Sequence, residues 1–504
     1  MRIIAIQNYG HSGTTLLHSL FDGHPNVLSL PSLIGIHFYD YWRRFMAMLP
    51  PDTLPDERLL AQFLWDNVTE LFDPDHAYGH SLGLSSLGDD GTETACIGFD
   101  DFLSSFLTQV AKATFADPTP AGETALSRRK LRRAVLLAIY RAYAEGIGLT
   151  WNNRVFLVFP AHSCQLSDVA DLLEDFHDVR FIHMVRDPVN NFDSGLKTFK
   201  RDNRKNPTLW ALSPLQCCIS QLMQDRALQT GNPMPLHSIV PYHPDLIEVS
   251  AAVRLEDLHH SSEEALKALA RWLDLPWHEA LMQSTVAGKK WWNQVALRRV
   301  SGFKKEMVTD YFETSGLDRQ RMIHLSEPIR TQFKYAAKKP HRMSVALALL
   351  ACALPFRVER SYRDPLRAYG LFLEHILARL APRLTARRRA YFHQWLSDRA
   401  DIAKAPMTRS TEAGNPADAE IRAARSRVGR LEWWAARIAG RVIGYWIDRR
   451  TIINAYREVR QPTVMVPLLW SGELPAPSTG RWPERGVSAM LMRCRKFLPV
   501  KSGQ

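Results

Sequence analysis

Two short clusters in this chain of 504 residues carry the residue types and spacing that hold anions. In the first, Gly10-His11-Ser12-Gly13-Thr14-Thr15 brings two glycines, three hydroxyls and an imidazole together where an apolar run ends and helical spacing begins. Backbone NH groups at a helix start, the positive end of its dipole and nearby hydroxyls make a ready anion site. A Walker A loop would need a Lys directly after the second glycine, but Thr14 follows Gly13, so the pattern points to a phosphate-like ligand other than Mg-ATP. The plainer alternative is an N-capped helix, since Ser and Thr are common caps. In the second cluster Arg186-Asp187-Pro188 follows an apolar run, and Ser194 stands eight residues after Arg186. Pro188 suits the first position of a helix, which leaves Arg186 at the C-terminal end of a strand, where open α/β sheets bind ligands. An arginine there, with a hydroxyl two turns along the helix, suits a second phosphate held in fork geometry. A structural ion pair between Arg186 and Asp187 is the alternative.

A third pattern, Gly79-His80-Ser81-Leu82-Gly83, satisfies the GxSxG nucleophile elbow and proposes a serine hydrolase. Its context argues against this minor alternative, because the elbow needs a buried strand before it and a helix after it. Phe72-Asp73-Pro74-Asp75-His76 precedes the motif and Gly88-Asp89-Asp90-Gly91 follows it. The six cysteines include no CxxC pair, and no HExxH occurs, so neither a metal site nor a disulfide scaffold is expected.

The elements that must position the two clusters alternate. Arg2–Gln7 is predicted to be a strand buried on both faces, and Thr14–Phe21 the helix after it. The unit recurs with a strand at Arg154–Phe159, a helix at Leu166–Phe176, a strand at Val179–Val185 and a helix at Val189–Phe199. A last strand is expected at Leu246–Leu255, followed by a Ser-capped helix over Ser262–Leu273. Such alternation gives an α/β fold with a parallel sheet covered by helices. Residues 32–150 form an insertion rich in Trp, Tyr, His and Pro, with helical stretches near Ile36–Leu49, Glu57–Phe72 and Ser127–Ile147, read as a substrate-facing lobe rather than core. Residues 1–330 are expected to form the catalytic domain and 331–504 a basic helical C-terminal region.

Taken together, the first loop and the RDP-x5-S element resemble the sulfotransferases that use 3'-phosphoadenosine 5'-phosphosulfate (PAPS). Ser12, Gly13, Thr14 and Thr15 match the family's first loop, and Arg186 and Ser194 match its second element. Leu16, Leu17, Asp22, Gly23, His24 and Pro25 are similar to its SGTTLL and DGHP text, Val253-Arg254-Leu255-Glu256-Asp257-Leu258 to its VRYEDL strand end, and Gly288-Lys289-Lys290-Trp291-Trp292 to a loop of bacterial members. The resemblance runs over roughly residues 1–310. It implies a P-loop-NTPase-like three-layer fold, PAPS as donor and no metal. It further implies that Ser12–Thr15 cradle the 5'-phosphosulfate while Arg186 and Ser194 hold the 3'-phosphate. The sequence departs from the family in three places. His11 stands where a Lys or Arg is usual, which makes that charge depend on pH. Leu255 replaces an aromatic, and Asn26–Ser32 lacks the carboxylate that some members carry after the HP dipeptide.

Sulfuryl transfer to a hydroxyl or amine needs a proton acceptor. His162, in Pro160-Ala161-His162-Ser163 after the second predicted strand, is the first candidate, and His37 in the insertion is the second. The acceptor class stays open among glycans, glycolipids and other hydroxylated metabolites. The rival reading from a different class is a non-catalytic nucleotide- or membrane-binding protein with a degenerate sulfotransferase fold.

Charge is distributed unevenly. Residues 331–504 hold 32 Lys and Arg against 13 Asp and Glu, whereas residues 1–330 hold 32 against 39. Arg430, Arg437, Arg441, Arg449 and Arg450 interleave with Trp433, Trp434, Ile438, Val442, Trp446 and Ile447 at helical spacing. That pattern suits a helix lying in an anionic membrane interface, or one packed on the catalytic domain with its arginines in solvent. Nucleic acid is not an expected partner, because no DNA- or RNA-binding module is recognisable. No signal peptide is read at the start, and the apolar run Met343–Phe356 is too short to span a bilayer. The expected location is cytoplasmic, with peripheral attachment to the inner membrane face.

Overall fold

The computed structural model describes residues 1–7, 12–30, 34–50, 56–67, 87–115, 124–150, 154–161, 166–194, 248–295, 298–304, 308, 316–335 and 468–469. His11, His162, the Gly79–Gly83 motif, Met343–Phe356 and the Arg/Trp segment at 430–450 lie outside the described residues.

Five parallel strands form a central sheet: β1 (Arg2–Gln7), β2 (Val27–Ser29), β3 (Phe156–Ala161), β4 (Val179–Val185) and β5 (Ser250–Arg254), in the order β2-β3-β1-β4-β5. In β1 the β-branched residues leave no polar face. Ile3 and Ala5 enter the apolar cluster on one side of the sheet, and Ile4 and Ile6 enter the cluster on the other. A strand buried on both faces must be covered by two helical layers. Helix α1 (Thr14–Asp22) supplies Leu16, Leu17, Leu20 and Phe21 to one layer, together with α7 (Leu255–His260) and α8 (Ser262–Leu273). Helix α8 begins as expected, but its N-cap is Ser261, whose hydroxyl makes no capping bond.

The insertion contributes α2 (Ile34–Ala47), α3 (Glu57–Asn67), α4 (Phe99–Phe115) and α5 (Thr124–Gly146). Their apolar faces belong to the core, whereas the sequence reads as a substrate-facing lobe rather than core. Phe38, Phe102, Phe106, Val135 and Ile139 join Ile3, Leu157, Phe159 and Phe181 in one cluster. The middle of α5 is apolar around most of its circumference, so it cannot stand in solvent. Charge ties this layer to α6 (Leu166–Asp175), whose Asp168, Asp171, Glu174 and Asp175 recur at helical spacing. Arg43 of α2 pairs with Asp168 and Asp171, and Arg132 of α5 with Asp171, Glu174 and Asp175.

Two short hairpins follow α8: β6 (Thr285–Val286) with β7 (Lys289–Lys290), and β8 (Asn293–Val295) with β9 (Arg298–Val300). Far along the chain, Leu469 NH bonds the Ala252 carbonyl at 3.0 Å and Leu469 is buried beside β5. The chain divides into two compact units, one of residues 1–186, 224–309 and 463–504, the other of residues 187–223 and 310–462. The described part of the second unit holds a helical stretch at 188–194 and α9 (Gly316–Gln332).

Candidate functional site

The connection from β1 leaves the sheet past β3 toward β2, while the connection from β4 leaves the other way toward β5. Neighbouring strands whose continuations diverge open a crevice at their C-terminal ends, the usual ligand position in such sheets. β1 ends at Gln7 and β4 at Val185, one residue before Arg186, and Gln7 is in register with His183. Ser12 to Thr15 and Arg186 thus follow two neighbouring parallel strands of the sheet. Asp187 to Ser194 belong to the second unit, and Ser194 sits half-buried on the helical stretch that follows Asp187.

In the first cluster the N-cap of α1 is Gly13, with φ 90° and ψ 15°. Glycine has no acceptor in its side chain, so the plain reading of a Ser- or Thr-capped helix does not describe this turn. Leu17 NH bonds the Gly13 carbonyl at 3.0 Å and starts the helical ladder. Gly13 is required twice. Its φ lies in the left-handed region, and a β-carbon would run into Cδ1 of Leu255, with Leu255 Cγ 3.3 Å away. Ser12 and Thr14 are buried and Thr15 half-buried. The Thr14 hydroxyl donates to the Gln7 carbonyl at 3.4 Å, closing the loop over the strand end, and lies 3.4 Å from the Ser12 hydroxyl.

In the second cluster Asp187 is the cap of the helical stretch at 188–194. Its Oδ1 accepts from Val189 NH at 3.0 Å, and its carbonyl accepts from Asn191 NH at 2.8 Å. The same carboxylate receives the Arg330 guanidinium of α9, from Nε at 3.2 and 3.3 Å and from Nη2 at 3.2 Å. Arg186 itself is half-buried.

His37 lies in the first turn of α2, half-buried, with Nε2 enclosed and without a hydrogen-bond partner. Gly35, two residues earlier, packs so tightly on Phe159 that a side chain there would overlap its ring.

Other residues of the recognised text hold the scaffold. Asp22 is buried at the end of α1, and its carboxylate accepts from the Ser29 hydroxyl at 3.1 Å, the Thr285 hydroxyl at 3.0 Å and Gly288 NH at 2.8 Å. Desolvation raises its pKa, opposed by those three bonds. His24 accepts from Asn26 NH on Nδ1 at 3.1 Å and donates from Nε2 to the Pro276 carbonyl at 2.9 Å, which is the neutral imidazole; burial lowers its pKa. The two lysines of Gly288–Trp292 meet acids of the 88–93 turn. Lys289 pairs with Glu93 at 2.7 Å, and Lys290 lies 3.8 Å from Asp89 and 4.5 Å from the Trp292 ring centre.

Sequence reasoning missed Gln7 and His183. Both are buried, and they face the insertion helices at the C-terminal ends of β1 and β4, in phase with Ala5 and Phe181. Desolvation lowers the His183 pKa to about 3, so its ring is neutral. The signal that could have found them is a polar residue at a buried position near the C-terminal end of an otherwise apolar strand. Among the described residues no cluster of His, Cys, Asp and Glu could hold a metal ion.

No family model matches the chain, and no curated protein sequence does. Solved structures are similar at low identity, among them three described as sulfotransferases. The sulfotransferase domain of the Synechococcus PCC 7002 olefin synthase is 14% identical with a TM-score of 0.31, over 67% of this chain and 95% of that one. The sulfotransferase domain from the curacin biosynthetic pathway is 14% identical with a TM-score of 0.33, over 67% and 98%. Sulfotransferase STF9 from Mycobacterium avium is 18% identical with a TM-score of 0.25, over 56% and 65%.

Proposed function

We propose that this protein is a PAPS-dependent sulfotransferase, moving a sulfuryl group to a hydroxyl or amine of a glycan, glycolipid or other metabolite. The observation that supports the reading is that the Gly13 turn follows β1 and Arg186 follows β4, two neighbouring parallel strands whose continuations diverge. A left-handed glycine directly before a helix start without a side-chain cap fits a turn that presents backbone NH groups to a 5'-phosphosulfate. In this reading Ser12, Gly13, Thr14 and Thr15 hold the 5' group, and Arg186 and Ser194 hold the 3'-phosphate. His11 supplies a positive charge beside the transferring group when protonated. The donor brings the activated sulfuryl group, and no metal is invoked.

His162 takes the acceptor proton in this scheme. The acceptor oxygen or nitrogen forms the new bond to sulfur, the sulfur–oxygen bond to the 5'-phosphate breaks, and adenosine 3',5'-bisphosphate leaves. His37 is the alternative proton acceptor. Peripheral attachment to the inner face of an anionic membrane through residues 331–504 belongs to the same proposal and rests on their charge.

Calorimetry with adenosine 3',5'-bisphosphate and AMP tests the nucleotide. A charge-assisted contact contributes about 1.5 to 3 kcal/mol, so the bisphosphate should bind on the order of tenfold to a hundredfold more tightly. The preference should largely vanish in Arg186→Ala. Equal binding of the two nucleotides by the wild type would remove the sulfotransferase reading in favour of an ordinary mononucleotide site.

A further inference from the structure

Arg330 lies far from both phosphate clusters in sequence and outside the span of the recognised motifs, yet its guanidinium closes on Asp187, the residue that caps the helical stretch bearing Ser194. The pair is largely shielded, with side chains 17% and 14% exposed. Asp187 has two roles that oppose each other. As a helix cap its carboxylate fixes the start of 188–194 through Val189 NH. As an anion next in the chain to Arg186, it would repel a phosphate held by that arginine. A guanidinium laid across the carboxylate removes the second effect and keeps the first, because one lone pair on Oδ1 still serves Val189.

We propose that Arg330 is a positioning residue for the second phosphate element. It fixes the capping carboxylate of the 188–194 helix and cancels its charge, so that Ser194 is presented to a 3'-phosphate. The inference rests on the nucleotide reading above and goes beyond it, since it gives α9 a role in holding the 188–194 helix.

The test uses the full chain and the same two nucleotides. Arg330→Ala should weaken adenosine 3',5'-bisphosphate binding by about tenfold, equivalent to 1.4 kcal/mol, while AMP binding stays within twofold. Combining Arg330→Ala with Asp187→Asn should restore most of the loss, because Asn caps a helix without the charge. Arg330→Gln, which keeps the stem packed, serves as the second variant if the alanine chain does not fold, and it should also lose severalfold. Hydrogen exchange at amides 189–194 should quicken in Arg330→Ala, a readout that needs no nucleotide. An unchanged bisphosphate preference in a folded Arg330 variant, or unchanged exchange at 189–194, overturns the role of Arg330 and leaves the nucleotide reading standing. A wild type that binds AMP and the bisphosphate equally overturns the nucleotide reading and, with it, the assignment of Ser194 to a 3'-phosphate.

Discussion

Gly13 and Leu255 are 242 positions apart in sequence and touch in the fold, so the first phosphate loop is shaped by a residue that local reading could not associate with it. Gly13→Ala carries two costs: about 1 to 2 kcal/mol for a left-handed φ, and about 1 to 3 kcal/mol for overlap with Leu255. Adding Leu255→Ala relieves only the second. Urea denaturation should therefore show the double variant more stable than the sum of the single losses by more than 1 kcal/mol, whereas additive losses would mean that Leu255 does not shape the turn. His18 carries a pH-dependent effect of known sign. It is fully buried on α1, and desolvation lowers its pKa from 6.5 to about 4. The unfolded chain then binds more protons between those values, so the contribution of a neutral His18 is complete above pH 6.5 and is lost as pH falls toward 4. Relative to wild type, His18→Met should gain on the order of 2 kcal/mol between pH 7 and pH 4.5, measured by denaturation at both. An unchanged difference would show His18 to be accessible to protons in the folded state. What local reading could see was chemistry carried by neighbours in sequence, such as Gly13 beside Thr14 or Arg186 before Pro188. Asp22 with Thr285 and Gly288, or Asp187 with Arg330, are contacts whose partners lie over a hundred residues away.

Elements were legible in proportion to the apolar pattern they bury. Strand β4 runs from Val179 to Val185 as expected, and α1, α6 and α8 match to within a residue or two, because burial on one or two faces repeats with a fixed period. Strand β3 begins two residues later than expected, at Phe156, and continues to Ala161. Helix α4 was not expected although Phe102, Phe106 and Val110 recur every four residues, and the three-residue β2 is too short to show a period. Charge patterning carried a message that was not drawn: the acidic stripe of α6 is buried against arginines of the insertion. Arg132 sits at its centre, donating from Nε and Nη2 to Asp175 at 2.8 and 2.7 Å, and the Asp175 side chain is 0% exposed. Removing the guanidinium would strip that buried carboxylate of its two short bonds and leave it with Arg129 at 3.8 Å. Arg132→Met should destabilise by about 3 to 5 kcal/mol, and Arg132→Met with Asp175→Leu should recover most of it, since two apolar side chains replace the pair. A loss below 1 kcal/mol in Arg132→Met would show that the insertion is held by its apolar contacts alone.

At the scale of the whole chain the charge division at residue 330 and the division of the fold into units do not coincide. The basic stretch 331–504 includes Leu469, which bonds the Ala252 carbonyl and is buried beside β5. Deleting the stretch to test membrane attachment would therefore expose the edge of β5 and confuse loss of lipid binding with loss of fold. Substituting charges avoids this. Among the described residues no helix is long and apolar enough to cross a membrane. A basic residue near an anionic bilayer contributes about 1 kcal/mol, falling within a Debye length of about 10 Å at 0.1 M salt. Replacing Arg437, Arg441, Arg449 and Arg450 together with Gln should lower cosedimentation with vesicles containing phosphatidylserine by tenfold or more at low salt. The wild type should lose binding as salt rises, while neither protein should bind neutral phosphatidylcholine vesicles strongly. Binding that is equal in both proteins and insensitive to salt would place the arginines against the protein or in solvent, and the interfacial role of the stretch would fall.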